Sequence, residues 1–332
     1  MQRLFRFIFC AILSFLIVTL SSFWRIAIAF LLCGTLSVNS LTCHWVNSDR
    51  ATAAQPPPNA IAQQSVGKFY IAYGPVRSEF YRDFQVGLKN SGGAEHFAEF
   101  LNSFNLSLPV NVPIIFSECG QANAYYKPAK REIEICMDLT VNFVKLFYEN
   151  KPNTPRETIF KQVGQVTLFV MLHETGHALV HLLNLPITGK EEDAVDDLAT
   201  VILLEMKNET SESAVLNAAI SFALEGDQRM KAEDIPFWDE HSLDKQRFFN
   251  LICSIYGKNP GKYSYLVQRN ILPKSRAVRC GDEYAQKFNS WVRLLSSHVN
   301  NSPQPRNTRT PESVYPSNPP PRPSEPQPGW NW

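Results

Sequence analysis

Apolar positions along the chain follow two patterns. Up to about residue 136 they come in short alternating or β-branched runs, and after about residue 155 they recur at helical spacing. Lys68–Tyr73 reads as a strand closed by Gly74-Pro75. Val112–Ser117, apolar and β-branched, reads as a second. Asn123–Tyr126 and Glu132–Cys136 flank Lys127-Pro128-Ala129-Lys130 and read as a hairpin. Glu132 and Glu134 alternate with Ile133 and Ile135, so one face is wet, as at an antiparallel edge. Helices are expected at Thr158–Leu183, Glu191–Met206, Ser213–Leu224, Ser242–Tyr256 and Asp282–His298. The first opens at Thr154-Pro155 and closes before Pro186; the fourth is capped by Ser242 and stopped by Gly257. Strands first and helices after argue an α+β fold: a small, mostly antiparallel sheet with an edge hairpin, then a helical C-terminal part.

Both ends differ from this body. Between Phe7 and Asn47 the one charge is Arg25, and Arg3 and Arg6 precede the apolar run. Ala51-Thr52-Ala53-Ala54 offers the small residues of a cleavage site. The run is long for a signal peptide, so residues 1–54 read as either a cleaved signal peptide or a retained membrane anchor. Residues 55–64 read as a linker. From Ser302 onward ten of 31 residues are proline, which removes donors and fixes φ, so 301–332 reads as a disordered tail. Pro319–Pro323 (PPPRP) could serve as a polyproline ligand for a partner or as a solvated spacer. One domain is expected over 65–300.

Composition removes some functions. With 32 basic and 31 acidic residues the chain has no field for nucleic acid. Of seven cysteines, four lie in the body: Cys119, Cys136, Cys253 and Cys280. An even number suggests disulfides and an exported protein. Three pairings are possible. Cys119–Cys136 and Cys253–Cys280 are favoured because each closes a local loop, and no C-x-x-C spacing suggests a metal site.

The chemistry lies at His173-Glu174-Thr175-Gly176-His177. On a helix, residues four apart share a face, so His173 and His177 can converge on one metal ion. Glu174 stands near enough to act as general base on an activated water. His181 continues the series but lies ~12 Å along the axis from His173, too far to share the ion. It reads as a core or supporting histidine. A third ligand is expected in Glu191-Glu192-Asp193-Ala194-Val195-Asp196-Asp197, where acids also suit a helix start. Glu192 and Asp196 lie one turn apart: Glu192 can ligate while Asp196 accepts the Nδ1 proton of a ligand histidine. Glu191 would have Val195 in that supporting place, and Asp193 with Asp197 offers a shorter ligand. Two histidines and one carboxylate leave a position for water, the pattern of a catalytic Zn²⁺.

These segments resemble a family of uncharacterised zinc-metallopeptidase domains of zincin-like fold, of the gluzincin type. The resemblance rests on Glu118–Tyr126, His173–Leu179, Glu191–Ala199 and Asp239–Phe248, with Cys253 and Tyr256-Gly257. It implies that the hairpin 123–136 lies above the active helix and pairs with substrate as an added strand. His241 could hold the oxyanion of a tetrahedral intermediate, as gluzincins often use a histidine or tyrosine, or be a solvated histidine near a helix start. Two functions follow: a hydrolase of peptide bonds, or an envelope-bound zinc-binding protein without turnover. An open cleft beside the metal would separate them.

Overall fold

The computed structural model describes residues 66–228 and 237–300. The N-terminal apolar segment, the 55–64 linker and the proline-rich tail lie outside the described residues. The body runs β1 (Phe69–Tyr73), α1 (Glu79–Ser91), α2 (Gly93–Ser103), β2 (Val112–Ser117), β3 (Ala124–Lys127) and β4 (Glu132–Cys136). There follow α3 (Met137–Asn150), α4 (Arg156–Leu182), α5 (Glu191–Glu205), α6 (Glu209–Gln228), α7 (Asp244–Lys258), α8 (Tyr265–Gln268) and α9 (Lys274–Ser296). This is α+β, as expected.

The four-stranded sheet has the order β1-β2-β4-β3. β1 pairs with β2, and β2 with β4, in parallel; only the β3–β4 hairpin is antiparallel. The expectation of a mostly antiparallel sheet is therefore corrected. For β2 and β4 the cause is β3, which reverses the chain at the outer edge so that β4 returns parallel to β2. For β1 and β2 it is the pair of helices α1 and α2 between them, which give the chain room for the crossover that a parallel pair needs. They also break the expected order of strands first and helices after. Their signals are present in the sequence. Ser78 accepts the Tyr81 N–H at 3.2 Å as an N-cap, and Gly92 ends α1 at φ 64°. Helix α3 follows β4 with no turn between them, so nothing announced it.

Helix α4 is buried on nearly every side. Ile133 and Ile135 of the hairpin, with Ile114 and Phe116 of β2, share one core with α4 through α7 and α9. A second cluster joins Phe143, Leu146 and Phe147 of α3 to Ile159, Val163 and Val166 of α4. Inside α7, Gly257 does not stop the helix, which starts after Leu243 and runs to Lys258. A Cβ there would come within 2.1 Å of the Cys280 carbonyl oxygen, so this glycine lets α7 touch α9. Cys253–Cys280 links the same two helices, and Cys119–Cys136 clamps the open end of the hairpin, with Cα atoms 5.1 and 5.4 Å apart. Both favoured pairings form. They fit an oxidising, exported location. No described helix is long and apolar enough to cross a membrane.

The contact that places the site is between α4 and α5. A Cβ on Gly176 would lie 2.8 Å from Cβ and Cγ1 of Val195. Glycine thus lets the two axes approach at Val195, whose neighbours on the same face are Glu192 and Asp196. Gly176→Ala gains helix propensity but must push α5 away at a backbone-anchored atom. It is expected to cost about 1–3 kcal/mol in urea unfolding. Gly189→Ala, with nothing near its added Cβ, is expected to stay within about 0.5 kcal/mol. Equal stability of the two variants would refute the close-approach argument.

Candidate metal centre

His173 and His177 lie one turn apart on α4, with Nε2 atoms 3.2 Å from each other. Glu192 reaches over from the first turn of α5. Its Oε2 is 3.1 Å from His173 Nε2 and 3.3 Å from His177 Nε2. These three ligand atoms can share one metal ion. Each histidine is fixed through its other nitrogen. His173 Nδ1 lies 2.7 Å from Asp196 Oδ1, and His177 Nδ1 lies 2.7 Å from Glu191 Oε1. With Nδ1–H donated to a carboxylate, each ring offers a lone pair on Nε2 towards the common point. A set of two imidazoles and one carboxylate, with both supporting acids present, fits a metal ion.

His241, just before α7, turns the same way. Its Nε2 is 2.9 Å from Glu192 Oε2, its Nδ1 is 3.0 Å from Asp239 Oδ1, and its ring stacks on His173 at 6.0 Å. Three imidazoles thus meet on one carboxylate oxygen. The segment around His241 is tied to α5. Lys190 donates to the carbonyl of His241 at 3.2 Å, and Ser242 donates to Asp193 at 2.9 Å. On the far side of the pair, Arg247 grips Asp196 through Nε at 2.7 Å and Nη2 at 2.8 Å.

The charges sort accordingly. Burial opposes ionisation of Glu192, but its bonds to His173, His177 and His241 hold its carboxyl far below the usual range. Burial likewise works against Asp196, and the Arg247 charge and the His173 bond outweigh it. Glu174 goes the other way. It is buried, and burial pushes its carboxyl up, against the pull of the two histidines and of the Tyr126 backbone beside it.

A family model described as "Putative metallopeptidase" matches residues 73–295. The chain belongs to this family. No curated protein and no solved structure matches it. Membership of a metallopeptidase family implies a metal, and His173, His177 and Glu192 are the residues placed to hold one.

In this member of the family the structure brings together His173, His177, Glu192, Asp196, Glu174 and His241, the residues expected from sequence at the metal and its surroundings. It moves one other residue. His181 is exposed rather than in the core, and its Nδ1 lies 2.7 Å from the Tyr126 hydroxyl on β3. Sequence reasoning missed Glu191, which was set aside for want of a partner at Val195. Glu191 supports a histidine instead of ligating. Asp239, Lys190 and Asp193 were also missed as supports. Asp239 could have been suspected, since an acid two residues before a histidine can reach its Nδ1.

A cleft of about 380 Å³ opens beside Glu174. It is lined by Ala122–Ala124, by residues of α3, α4 and α6, and by His241 to Lys245.

Two outcomes are expected. Glu192→Gln abolishes metal uptake, whereas Glu191→Gln weakens it about 10–100-fold, as loss of a supporting acid does; isothermal titration with Zn²⁺ measures both. Full retention of affinity in Glu191→Gln would remove its supporting role. The second concerns pH. In the metal-free chain burial works against a charged His173, yet its bonds to Asp196 and Glu192 win and carry it from 6.5 up to about 9. A raised imidazole adds stability that is complete below the unfolded value and lost as pH rises through the folded one. The metal-free chain should therefore lose stability between about pH 6.5 and 9, and the metal-loaded chain should not, because a ligand nitrogen carries no proton. Urea midpoints across that range test this, and a flat metal-free profile would contradict it.

Proposed function

We propose that the chain is an exported, zinc-dependent peptidase. The observation that carries this reading is the position of Glu174: buried, outside the ligand trio, adjacent to it on α4, and facing an open cleft. The open cleft favours turnover over an envelope-bound zinc-binding protein without it. His173, His177 and Glu192 would hold one Zn²⁺. When bound, the ion supplies a Lewis acid that polarises a carbonyl and acidifies water.

The chain's own residues do the rest. β3 is the outer strand of the sheet. The Cys136 N–H donates to the Asn123 carbonyl, so Asn123 and Tyr125 face β4, and Ala124 and Tyr126 turn their backbone groups outward. A substrate peptide can lie along this edge as an added strand, with its scissile carbonyl over Glu174. Glu174 takes a proton from the attacking water. Burial lifts its affinity for that proton, and it then delivers it to the leaving amine nitrogen. His241 is raised towards its charged form, chiefly by its bond to Glu192, and donates to the oxyanion. The Tyr126 backbone lies beside Glu174, next to the strand edge that would carry the substrate.

Glu174→Gln is expected to keep about one zinc per chain and to lose about 10²–10⁴ in peptide cleavage rate. His241→Phe should also keep zinc and lose about 10²–10³ in kcat. A peptide library read by mass spectrometry measures both. Cleavage that survives Glu174→Gln, or a wild-type chain loaded with zinc that cleaves none of the library, would overturn the reading.

A further inference from the structure

Arg247 makes no hydrogen bond to the three proposed ligands among the described residues, yet it is held beside them on two sides. Besides His173, it is the one basic side chain bonded to Asp196 among the described residues. Its guanidinium binds both oxygens of that carboxylate and lies 3.9 Å above the Phe222 ring. Asp196 Oδ1 is shared between Arg247 Nη2 and His173 Nδ1, while Oδ2 takes Arg247 Nε. The carboxylate plane is therefore fixed by the planar fork on one side, and it fixes the imidazole on the other. Phe222 on α6, Arg247 on α7 and Asp196 on α5 are distant in sequence from His173 on α4, so the chain of contacts joins four helices at the ligand.

We infer that Arg247 is a positioning residue, which sets the affinity of the metal centre by orienting Asp196 and, through it, His173. The inference rests on the zinc-site reading above and deepens it. The reason is geometric. An unanchored aspartate can rotate about its side-chain torsions, and the His173 ring then has no fixed direction for its Nε2 lone pair. A lysine would supply the charge as a point, without the fork that sets the plane. The site therefore needs arginine, with the aromatic face of Phe222 keeping the guanidinium flat against it.

The test is zinc affinity of the full chain, measured by competition with a chromophoric chelator, for wild type, Arg247→Lys, Arg247→Met, Asp196→Asn and the Asp196→Asn/Arg247→Met double variant. Loss of a supporting contact weakens metal binding about 10–100-fold, so Arg247→Met should fall in that range and Arg247→Lys between it and wild type. In the Asp196→Asn background, Arg247→Met should change affinity by less than about twofold, because its route to the ligand is already gone. The double variant also removes both charges together, so it is free of the stability cost of leaving one charge of the buried pair without the other. A purely structural arginine would lower the unfolding midpoint of Arg247→Lys and leave its zinc affinity at the wild-type value. That result, or additive losses in the double variant, would overturn the inference while leaving the metal centre standing. A wild-type chain that takes up no zinc would overturn both.

Discussion

Everything at the centre depends on how closely α4 and α5 approach. The contact is made at Gly176, where no side chain intervenes, and at Val195, whose Cβ fills the space. One residue face on α5, Glu192 with Val195 and Asp196, is thereby laid across one face on α4, His173 with Gly176 and His177. Had the axes been separated by another methyl group, a glutamate could still have extended to an imidazole. Asp196, one methylene shorter, could not have reached Nδ1 at 2.7 Å. The glycine in the motif is thus part of the metal chemistry, although it contributes no atom to it.

The first turn of α5 shows how densely the same contact is used. Lys190 ties down the backbone of His241, Glu191 supports His177, Glu192 faces both motif histidines, and Asp193 takes the Ser242 hydroxyl. A run of acids at a helix start is usually explained by the positive end of the helix dipole. That effect favours each of these carboxylates, but it does not say which partner each will find. The partners come from α4 and from the turn before α7, both brought in by the core.

This also marks what could be read in the sequence. His173, Glu174, His177, Glu192 and Asp196 were legible because helical spacing fixes their geometry before any tertiary structure is known. The two disulfides were legible because each closes a short loop. The hairpin was legible from its turn. Glu191, Asp239 and Arg247 were not, because their roles depend on the rotation of one element against another, which spacing within an element does not encode. The parallel pairing of β1 with β2 was missed for a related reason. It follows from helices α1 and α2, and their apolar residues were too sparse and too mixed with polar ones to stand out beside the long apolar α4. The parallel pairing of β2 with β4 depends on which edge β3 takes, which the strand patterns do not encode.

Two glutamates, one on each of the apposed helices, are driven apart in proton affinity by their surroundings. Glu192 is held ionised by three imidazoles, and Glu174 is pushed towards its protonated form by burial. Paired groups displaced in opposite directions are what a site needs if one carboxylate is to stay bound to a cation while the other carries protons. A site meant only to store an ion would gain nothing from a buried, proton-seeking carboxylate at its edge, and burying one without such a use is costly. Here that carboxylate also lies beside the backbone of Tyr126 on the outer strand of the sheet. The strand proposed to align the peptide and the group proposed to move its proton are thus neighbours. A shift of the strand would change the surroundings of the base, so binding and proton transfer are geometrically coupled.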